Sequence, residues 1–347
     1  MKSTVIRLQG LLIGVFLVGS ISLFTWFNIS KPRIFILHSY DKSYSWVRDV
    51  NMGITRVLDS HRDNIVRWYY LDTKRHPWLN YKINAGKSMQ RMLMSSPPDV
   101  IIAVDDDAQQ FVTRNFINHP TIKIVFAGVN NEPEAYGFDK AGNVTGILER
   151  LPLEALKETL QIIAQRNNIS LPLTIQFIGD RSETVIGDEK FFRTYDMKPT
   201  RVLESRLVNT LDEWQQAVLN AAGKVDFLIT SNYRKVRRTA DGTDLVPASE
   251  LIAWTESHSP VPVIGTNAFF AEDGGMLAIG TSPFEQGEVA ARLALEIAEY
   301  HKQPQQLPFH STTQFVVSMR GALIRSRHID LPQIYEAAAR AIHKYYE

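Results

Sequence analysis

The stretch from residue 33 to residue 58 constrains the fold of this chain most strongly. It begins with a run of apolar residues (34–37), passes through the polar and aromatic loop HSYDKSYSW (38–46), and ends with apolar residues at helical spacing (47–58). A short, uninterrupted apolar run indicates a parallel strand that is buried on both faces. The stretch therefore predicts a strand, a loop and a helix, which form the first half of a βαβ unit. In sheets of this kind, ligands bind at the carboxyl ends of the strands.

The same alternation of strands and helices continues along the rest of the chain and restarts near residue 150. This pattern is typical of an α/β fold with two Rossmann-like lobes and parallel sheets. The late elements are expected to cross back, with Met276 to Gly280 returning to the first sheet. The predicted division is an N-terminal segment at 1–30, a first lobe at 31–148 plus about 268–312, and a second lobe at 149–267 plus about 313–347.

The N-terminus carries a topological signal. Residues 11–29 contain no charge, Lys2 and Arg7 precede them, and Lys31 and Arg33 follow. About 20 apolar residues are enough to cross a bilayer as a helix. We favour an uncleaved signal anchor in the inner membrane, and a cleaved signal peptide is the alternative. Either interpretation places the remaining chain in the periplasm, near the membrane in the first case.

Several classes of function are disfavoured by composition and by missing motifs. The chain has no cysteine, so it has no disulfide, thiol nucleophile or thiolate metal site. Its formal net charge of +1 gives no strong attraction to nucleic acid. Nucleophile-elbow, phosphate-loop and HExxH motifs are absent as well. The sequence therefore favours a binding protein over an enzyme, and it indicates no cofactor.

Polar residues follow the predicted strands and form the candidate site. Asp105, Asp106 and Asp107 could hold a metal, contact a ligand, or cap the next helix. His38 could be a catalytic base, a ligand contact or a structural residue. Aromatic side chains of the first loop suit stacking on a ligand, although Trp46 could equally pack beneath its helix. The basic run at 234–238 is interpreted as a solvated loop.

Motifs in four regions resemble the ABC-transporter substrate-binding protein family, especially its extracytoplasmic sensor members. They are ILHSY (36–40) with Trp46, PDVIIAVDDDAQQF (98–111), VFAGVNN (125–131) with NVTGILE (143–149), and the stretch from IGTSPFEQGEVAARLALEIAEY (279–300) through QFVVSMRGALIRSRHIDLP (314–332). The resemblance implies a type I periplasmic-binding-protein fold, with two lobes, a hinge, three crossing segments and a ligand in the cleft. By position, the ligand contacts would be His38, Ser39, Tyr40, Trp46, Asp105, Asp106, Asn130, Asp180, Ser231, Asn232, Thr266 and Asn267.

The leading hypothesis is an extracytoplasmic solute-binding protein that closes two lobes on a small polar ligand. The ligand could be an amino acid, a sugar or an amine. The expected partner is an ABC permease or a membrane sensor kinase or cyclase. Two alternatives come from other classes. One is a metal-dependent hydrolase that uses Asp105, Asp107 and His38, and the other is a protein-interaction module that binds no ligand.

Overall fold

The computed structural model describes residues 12–23, 25 and 31–347. Residues 12–23 are helical (α1). Within the described part of the chain, no helix is both long and apolar enough to cross a membrane. The predicted anchor at 11–29 includes residues 11, 24 and 26–29, which lie outside the described residues. The anchor therefore stays a prediction.

The first of two sheets has six strands, all parallel, in the order β12-β5-β4-β3-β1-β2. Its central strands are continuous apolar runs and are fully buried, as expected for a sheet that is covered by helices on both faces. The strands are β1 (Arg33–His38), β2 (Ile65–Tyr70), β3 (Val100–Val104), β4 (Lys123–Val129), β5 (Val144–Leu148) and β12 (His310–Ser311). The helices are α2 (Ser45–Leu58), α3 (Leu79–Ser95), α4 (Asp106–Phe111) and α10 (Pro283–Ala298). Short 3₁₀ helices lie at Thr113–Phe116, Pro133–Tyr136, Phe138–Lys140 and Pro304–Gln306.

The second sheet has eight strands in the order β14-β13-β11-β10-β9-β6-β7, and β8 pairs with the end of β6. All its pairings are parallel except that of β13 with β11, so β13 and β14 run opposite to the other strands. The strands are β6 (Thr174–Asp180), β7 (Arg201–Val202), β8 (Arg206–Val208), β9 (Phe227–Thr230), β10 (Val263–Gly265), β11 (Leu277–Thr281), β13 (Phe315–Arg320) and β14 (Tyr345–Tyr346), and the helices are α5 (Leu153–Arg166), α6 (Glu183–Thr194), α7 (Leu211–Leu219), α8 (Ala248–His258), α9 (Phe269–Glu272), α11 (Gly321–Ser326) and α12 (Gln333–Ala341).

The prediction of an α/β fold with parallel sheets is confirmed, but one strand was assigned to the wrong sheet. Met276 to Gly280 was expected to return to the first sheet, whereas β11 pairs with β10 and β13 in the second. Only a short connection joins β10 to β11. Strand β11 therefore lies beside β10 in the second sheet, and the chain crosses to the first lobe only after β11. When the lobes are divided by sheet membership, the return comes at residue 282 rather than 268. The other lobe boundaries stay a prediction.

Helix α10 comes late in the sequence but completes the hydrophobic core of the first lobe. Its alanines and leucines belong to the same core cluster as β1, β3 and α2. A Cβ on Gly53 of α2 would collide with the backbone carbonyl of Phe284, and one on Gly287 of α10 would collide with the carbonyl of Val50. The two helices therefore touch backbone to backbone, because each presents a glycine at the crossing.

Three crossing segments join the sheets, and hydrogen bonds tie them together. The segments run from β5 to α5, from β11 to α10 and from β12 to β13. The Thr281 hydroxyl donates to the carbonyl oxygen of Arg150 at 3.2 Å, which links the first two segments. The buried Glu285 carboxylate accepts from the backbone N–H groups of Thr313 (3.1 Å) and Gln314 (2.9 Å), which links the second and third. This bonded set is the hinge region between the lobes.

Candidate functional site

A cleft of about 330 Å³ lies between the two lobes at the carboxyl ends of the first strands of each sheet. Both lobes contribute side chains to it, as expected for a ligand site built on parallel α/β sheets. The first lobe supplies Tyr40, Thr73, Lys74, Pro77, Lys82, Asp106, Asp107 and Asn131, and the second supplies Ser182, Glu183, Thr184, Asn232, Arg234 and Lys235.

Three of the residues that were predicted from the sequence line this cleft directly: Tyr40, Asp106 and Asn232. Burial, followed by the charges of Asp105, Asp107 and Asp106, raises the pKa of Tyr40, so its hydroxyl stays protonated. Asp106 accepts a hydrogen bond from the Tyr136 hydroxyl at 2.6 Å. The Asn232 side chain accepts from the backbone N–H groups that follow it and shapes the second-lobe loop.

Three more predicted residues lie beside the cleft with buried polar atoms that make no hydrogen bond of standard geometry among the described residues, although the Trp46 indole lies near the Asp105 carboxylate and Ser231 lies near Asp188. They are Trp46 (Nε1), Asp105 (Oδ2) and Ser231 (Oγ), and Thr230 (Oγ1) shares this property. Trp46 and Asp105 belong to the first lobe and the other two to the second. Buried polar atoms are paired in the great majority of cases, so a cluster of unpaired ones requires an explanation.

Asp105 also has an unusual backbone. Its φ of 66° and ψ of 165° lie outside the regions that non-glycine residues prefer. Its backbone N–H donates to the carbonyl oxygen of Ala127 at 2.9 Å, which holds the turn in place. Gly128 lies against it, and a Cβ there would come within 3.3 Å of the Asp105 carboxylate. Strain of this kind is concentrated at functional sites.

The remaining predicted residues of the two lobes make structural hydrogen bonds. The Ser39 hydroxyl donates to the carbonyl oxygen of Val104 and accepts from the backbone N–H of Ala108, both at 2.8 Å. Asp180 accepts from the backbone N–H groups of Ser182 and Lys235, both at 2.8 Å. Thr266 and Asn267 donate to backbone carbonyls, and the Asn130 amide bridges the Asp106 and Glu149 carboxylates at 3.4 Å.

His38 lies inside the first lobe rather than in the cleft. Its ring is fully buried and stacks on the rings of Trp68 and Tyr70, with centroid distances of 6.3 Å and 5.4 Å. Burial lowers the pKa of His38 from 6.5 to about 4, against a smaller opposing effect of Asn51. The imidazole is therefore neutral at physiological pH and packs as an aromatic side chain.

The cationic side chains of the cleft were missed by sequence reasoning. The ammonium group of Lys74 lies 4.0 Å from the ring centroid of Tyr44 and 4.6 Å from that of Tyr40. Arg234 and Lys235 were interpreted as part of a solvated run, yet both line the cleft. Arg234 forms an ion pair with Asp273 at 2.7 Å, with both side chains largely buried. The available signal for Lys74 was its position in the polar segment that follows β2, four residues past Tyr70.

On one side of the cleft, the C-terminal segment joins the lobes. The Lys344 ammonium lies 3.0 Å from the Asp49 carboxylate on α2 and 2.8 Å from the Glu272 carboxylate on α9. All three side chains are largely buried, so solvent screens these pairs less than it would screen surface pairs. Lys344 thus connects the first lobe to the second in this conformation.

The residues that the hydrolase alternative required are not arranged for metal chemistry. His38 is stacked within the first lobe, and Asp107 forms an ion pair with Lys82 at 2.9 Å. Within the described chain, no group of three or more His, Asp or Glu side chains is placed to hold a metal ion. The three side chains therefore do not form a shared metal site.

Comparisons with known proteins agree with this geometry. The model of the family described as "ABC transporter substrate binding protein" matches residues 80–333. A search of the curated proteins finds no match.

Solved structures share the fold at low sequence identity. A conserved domain protein from Vibrio cholerae is 16% identical, with a TM-score of 0.63, and the match covers 91% of this chain and 100% of that one. The ligand-free, open structure of CD0873, a substrate binding protein with adhesive properties from Clostridium difficile, is 18% identical, with a TM-score of 0.67 and coverage of 87% and 96%. An ABC domain from Streptococcus pneumonia in complex with L-Trp is 14% identical, with a TM-score of 0.60 and coverage of 88% and 98%. The fold is that of the type I periplasmic binding proteins, and this chain belongs to the family of ABC transporter substrate-binding proteins.

Proposed function

We propose that the protein binds a small polar ligand between its lobes and closes on it by a hinge motion. The observation that carries this proposal is a set of buried polar atoms that lie beside the cleft in both lobes and make no hydrogen bond of standard geometry. Asp105 and Trp46 contribute from the first lobe, and Thr230 and Ser231 from the second. A bound ligand that bonds to both walls would stabilise the closed form, because binding shifts the equilibrium by its differential affinity for the two states.

Thermal stability of the full-length chain tests the proposal. Amino acids, including L-Trp, together with sugars and amines, are added singly while the unfolding temperature is followed. A ligand that binds only the folded form raises this temperature, and the increase grows with the ratio of ligand concentration to Kd. We expect one class of compound to do so. If no compound in the panel raises the unfolding temperature, the proposal is refuted and a protein-interaction module is favoured.

Substitutions on the two walls localise the ligand. Asp105→Asn and Ser231→Ala each remove a polar group that we assign to the site, and the control is Asp212→Asn, at an exposed residue of α7. We expect both wall variants to weaken binding by about tenfold or more, because a hydrogen bond to a charged group contributes about 1.5–3 kcal/mol. Binding that is unchanged in both variants would place the ligand elsewhere.

The closed form would be recognised by a membrane partner, either an ABC permease or a sensor kinase or cyclase. We propose that the protein acts outside the cytoplasm and that residues 11–29 hold it at the inner membrane. Fractionation of cells that express the chain with and without residues 1–30 tests the anchor. Recovery of the intact chain in the soluble periplasmic fraction would refute it. A permease and ATPase encoded beside the chain would favour transport, whereas a lone kinase or cyclase would favour sensing.

A further inference from the structure

Positively charged side chains from both lobes line the cleft. The first lobe contributes Lys74 and Lys82, and the second lobe contributes Arg234 and Lys235, so four cations share one cleft of about 330 Å³. Burial lowers the pKa of Lys235, and the positive charges of Lys74 and Lys82 lower it further, against smaller opposing effects of two carboxylates. The cations of the two lobes are therefore close enough to repel each other across the cleft.

Two of the four cations have carboxylate partners. Lys82 forms an ion pair with Asp107 at 2.9 Å, and Arg234 forms one with Asp273 at 2.7 Å. Arg234 nevertheless keeps one donor unused, because its Nε atom is buried and has no hydrogen-bond partner among the described residues. A buried donor without a partner is costly, so the guanidinium of this cleft residue can still accommodate an acceptor from outside the chain.

The other two cations, Lys74 and Lys235, form no ion pair with a carboxylate in the described part of the chain. The Lys74 ammonium donates to the Tyr44 hydroxyl at 2.8 Å rather than to a carboxylate. Asp105 lies near Lys74, but burial raises the pKa of Asp105 in spite of this positive charge and so disfavours the charged carboxylate. Lys74 and Lys235 are thus one cation from each lobe that is available to a negatively charged group.

The carboxylates that line the cleft are engaged with other groups or exposed to solvent. Asp107 is the ion-pair partner of Lys82. Asp106 accepts hydrogen bonds from the Tyr136 hydroxyl and from two backbone N–H groups of the loop that follows β4. Glu183 is an exposed side chain in the first turn of α6. None of the three carboxylates forms an ion pair with the two available cations.

The first turn of helix α6 adds a further source of positive potential on the second-lobe side. The helix has 12 residues, and Ser182, Glu183 and Thr184 at its start all line the cleft. The Ser182 side chain makes no capping hydrogen bond to the helix, because its hydroxyl donates to Asp180. The N–H groups of a first helical turn lack partners within the helix and favour anions. This end of α6 therefore acts in the same direction as the Lys235 ammonium.

Building on the proposed function, we infer that the ligand carries a negatively charged group, a carboxylate or a phosphate, which lies between Lys74 of the first lobe and Lys235 of the second. Without a ligand, repulsion between the two ammonium groups opposes closure of the lobes. An anion between them replaces this repulsion with two attractions, and it therefore stabilises the closed form. A neutral sugar or a simple amine lacks the group that these two lysines select.

Pairs of compounds that differ in their acidic group test the charge of the ligand. Unfolding temperatures of the full-length chain are measured at equal ionic strength with L-tryptophan and tryptamine, with succinate and succinamide, and with glucose 6-phosphate and glucose. The first member of each pair carries the carboxylate or the phosphate, and the second lacks it. We expect the anionic group to raise the unfolding temperature in at least one pair, which also distinguishes a carboxylate from a phosphate.

Substitutions then locate the anionic group. Binding of the stabilising compound is measured by calorimetry in Lys74→Gln, Lys235→Gln and Lys235→Arg. The control is Lys198→Gln, at a lysine whose side chain is 88% exposed. Both glutamine variants at the cleft should weaken binding by at least about tenfold, because each removes a charge-assisted hydrogen bond. Lys235→Arg keeps the positive charge and should retain most of the affinity, and the control should bind as the wild type does.

Each other outcome overturns the inference in a distinguishable way. If the compounds without the acidic group stabilise the protein as well as their partners do, the anion is refuted and the proposed function stands. If the affinity is unchanged in either glutamine variant at the cleft, the anion does not lie between the two lysines. If no compound of these pairs or of the broader panel stabilises the protein, both the inference and the proposed function are refuted. Circular dichroism of each variant confirms that it is folded before its binding is interpreted.

Discussion

Replacing Asp188 by asparagine is expected to stabilise the ligand-free protein at neutral and higher pH. The side chain is 7% exposed and lies among other carboxylates. Burial raises the pKa of Asp188 from 3.8 to about 7, with Asp106 and Asp180 contributing in the same direction and Ser231 and Arg150 opposing. The protein therefore holds a charge at this position that is more favourable in the unfolded chain.

The sign and size of the effect follow from the two pKa values. Between 3.8 and about 7 the folded protein binds more protons at this site than the unfolded chain, so stability falls as pH rises through this window. At about 1.4 kcal/mol per pKa unit, the full shift corresponds to about 4 kcal/mol. Because the amide of asparagine also needs partners, we expect the variant to gain about 2–4 kcal/mol at pH 8.

The pH dependence of stability in the wild type alone would not reveal the contribution of Asp188, because His38 contributes a pH dependence of opposite sign. Its pKa falls from 6.5 to about 4 on folding, so the unfolded chain binds more protons between these values. Its contribution to stability is thus lost as pH falls through that window. The difference between the variant and the wild type cancels His38 and leaves the contribution of Asp188 together with its effect on the pKa of Glu149.

Urea unfolding of both proteins at several pH values between about 4 and 8 measures this difference. The free energy of unfolding in water is obtained by linear extrapolation to zero urea. We expect the variant's advantage to be small at the acid end and to grow up to about pH 7. Asp212→Asn is the control and should follow the wild type at every pH. An advantage that does not change with pH, or a loss of stability at pH 8, would refute the reasoning.

Three further predictions concern packing, closure and titration. Gly53→Ala should destabilise the protein by about 1–3 kcal/mol in urea unfolding, since the added carbon collides with the carbonyl oxygen of Phe284; an unchanged midpoint would contradict the close helix contact. Lys344→Met should open the cleft, raise the radius of gyration in X-ray scattering and weaken ligand binding by at least about fivefold, since it breaks two largely buried interlobe ion pairs whose loss costs more than the roughly 1 kcal/mol of a surface pair, whereas the exposed control Lys198→Met should change neither. The ring resonances of His38 should not shift in NMR spectra between about pH 5.5 and 8, because the imidazole stays neutral there, and a midpoint near 6.5 would show that the ring is solvated.

The strands that the sequence indicates most clearly are those with apolar runs. Strand β3 and nearly all of β4 are such runs, and both are buried. Short or exposed strands lack this pattern. The two residues of β12 are exposed polar side chains, and β12 joins the first sheet by pairing with β5. Residues 201–208 contain two short strands, β7 and β8, which pair with different parts of β6.

The candidate site was predicted at the level of loops rather than of side chains. Polar residues follow every strand, but some of them bond to backbone groups and others face the cleft, and residue type alone does not distinguish the two. Ser39 and Asp180 hold neighbouring loops, while Asp106 faces the cleft.

The contact between α2 and α10 has a consequence for biosynthesis. The first 150 residues contain five strands of the first sheet, yet the helix that covers one face of that sheet ends at Ala298. While the chain is being made, the apolar surfaces of Val50 and Ile54 have no covering helix until about 150 further residues have left the ribosome. The second lobe, whose strands are mostly contiguous in sequence, becomes able to fold at almost the same time. The core of the first lobe therefore cannot be completed until α10 has been synthesised.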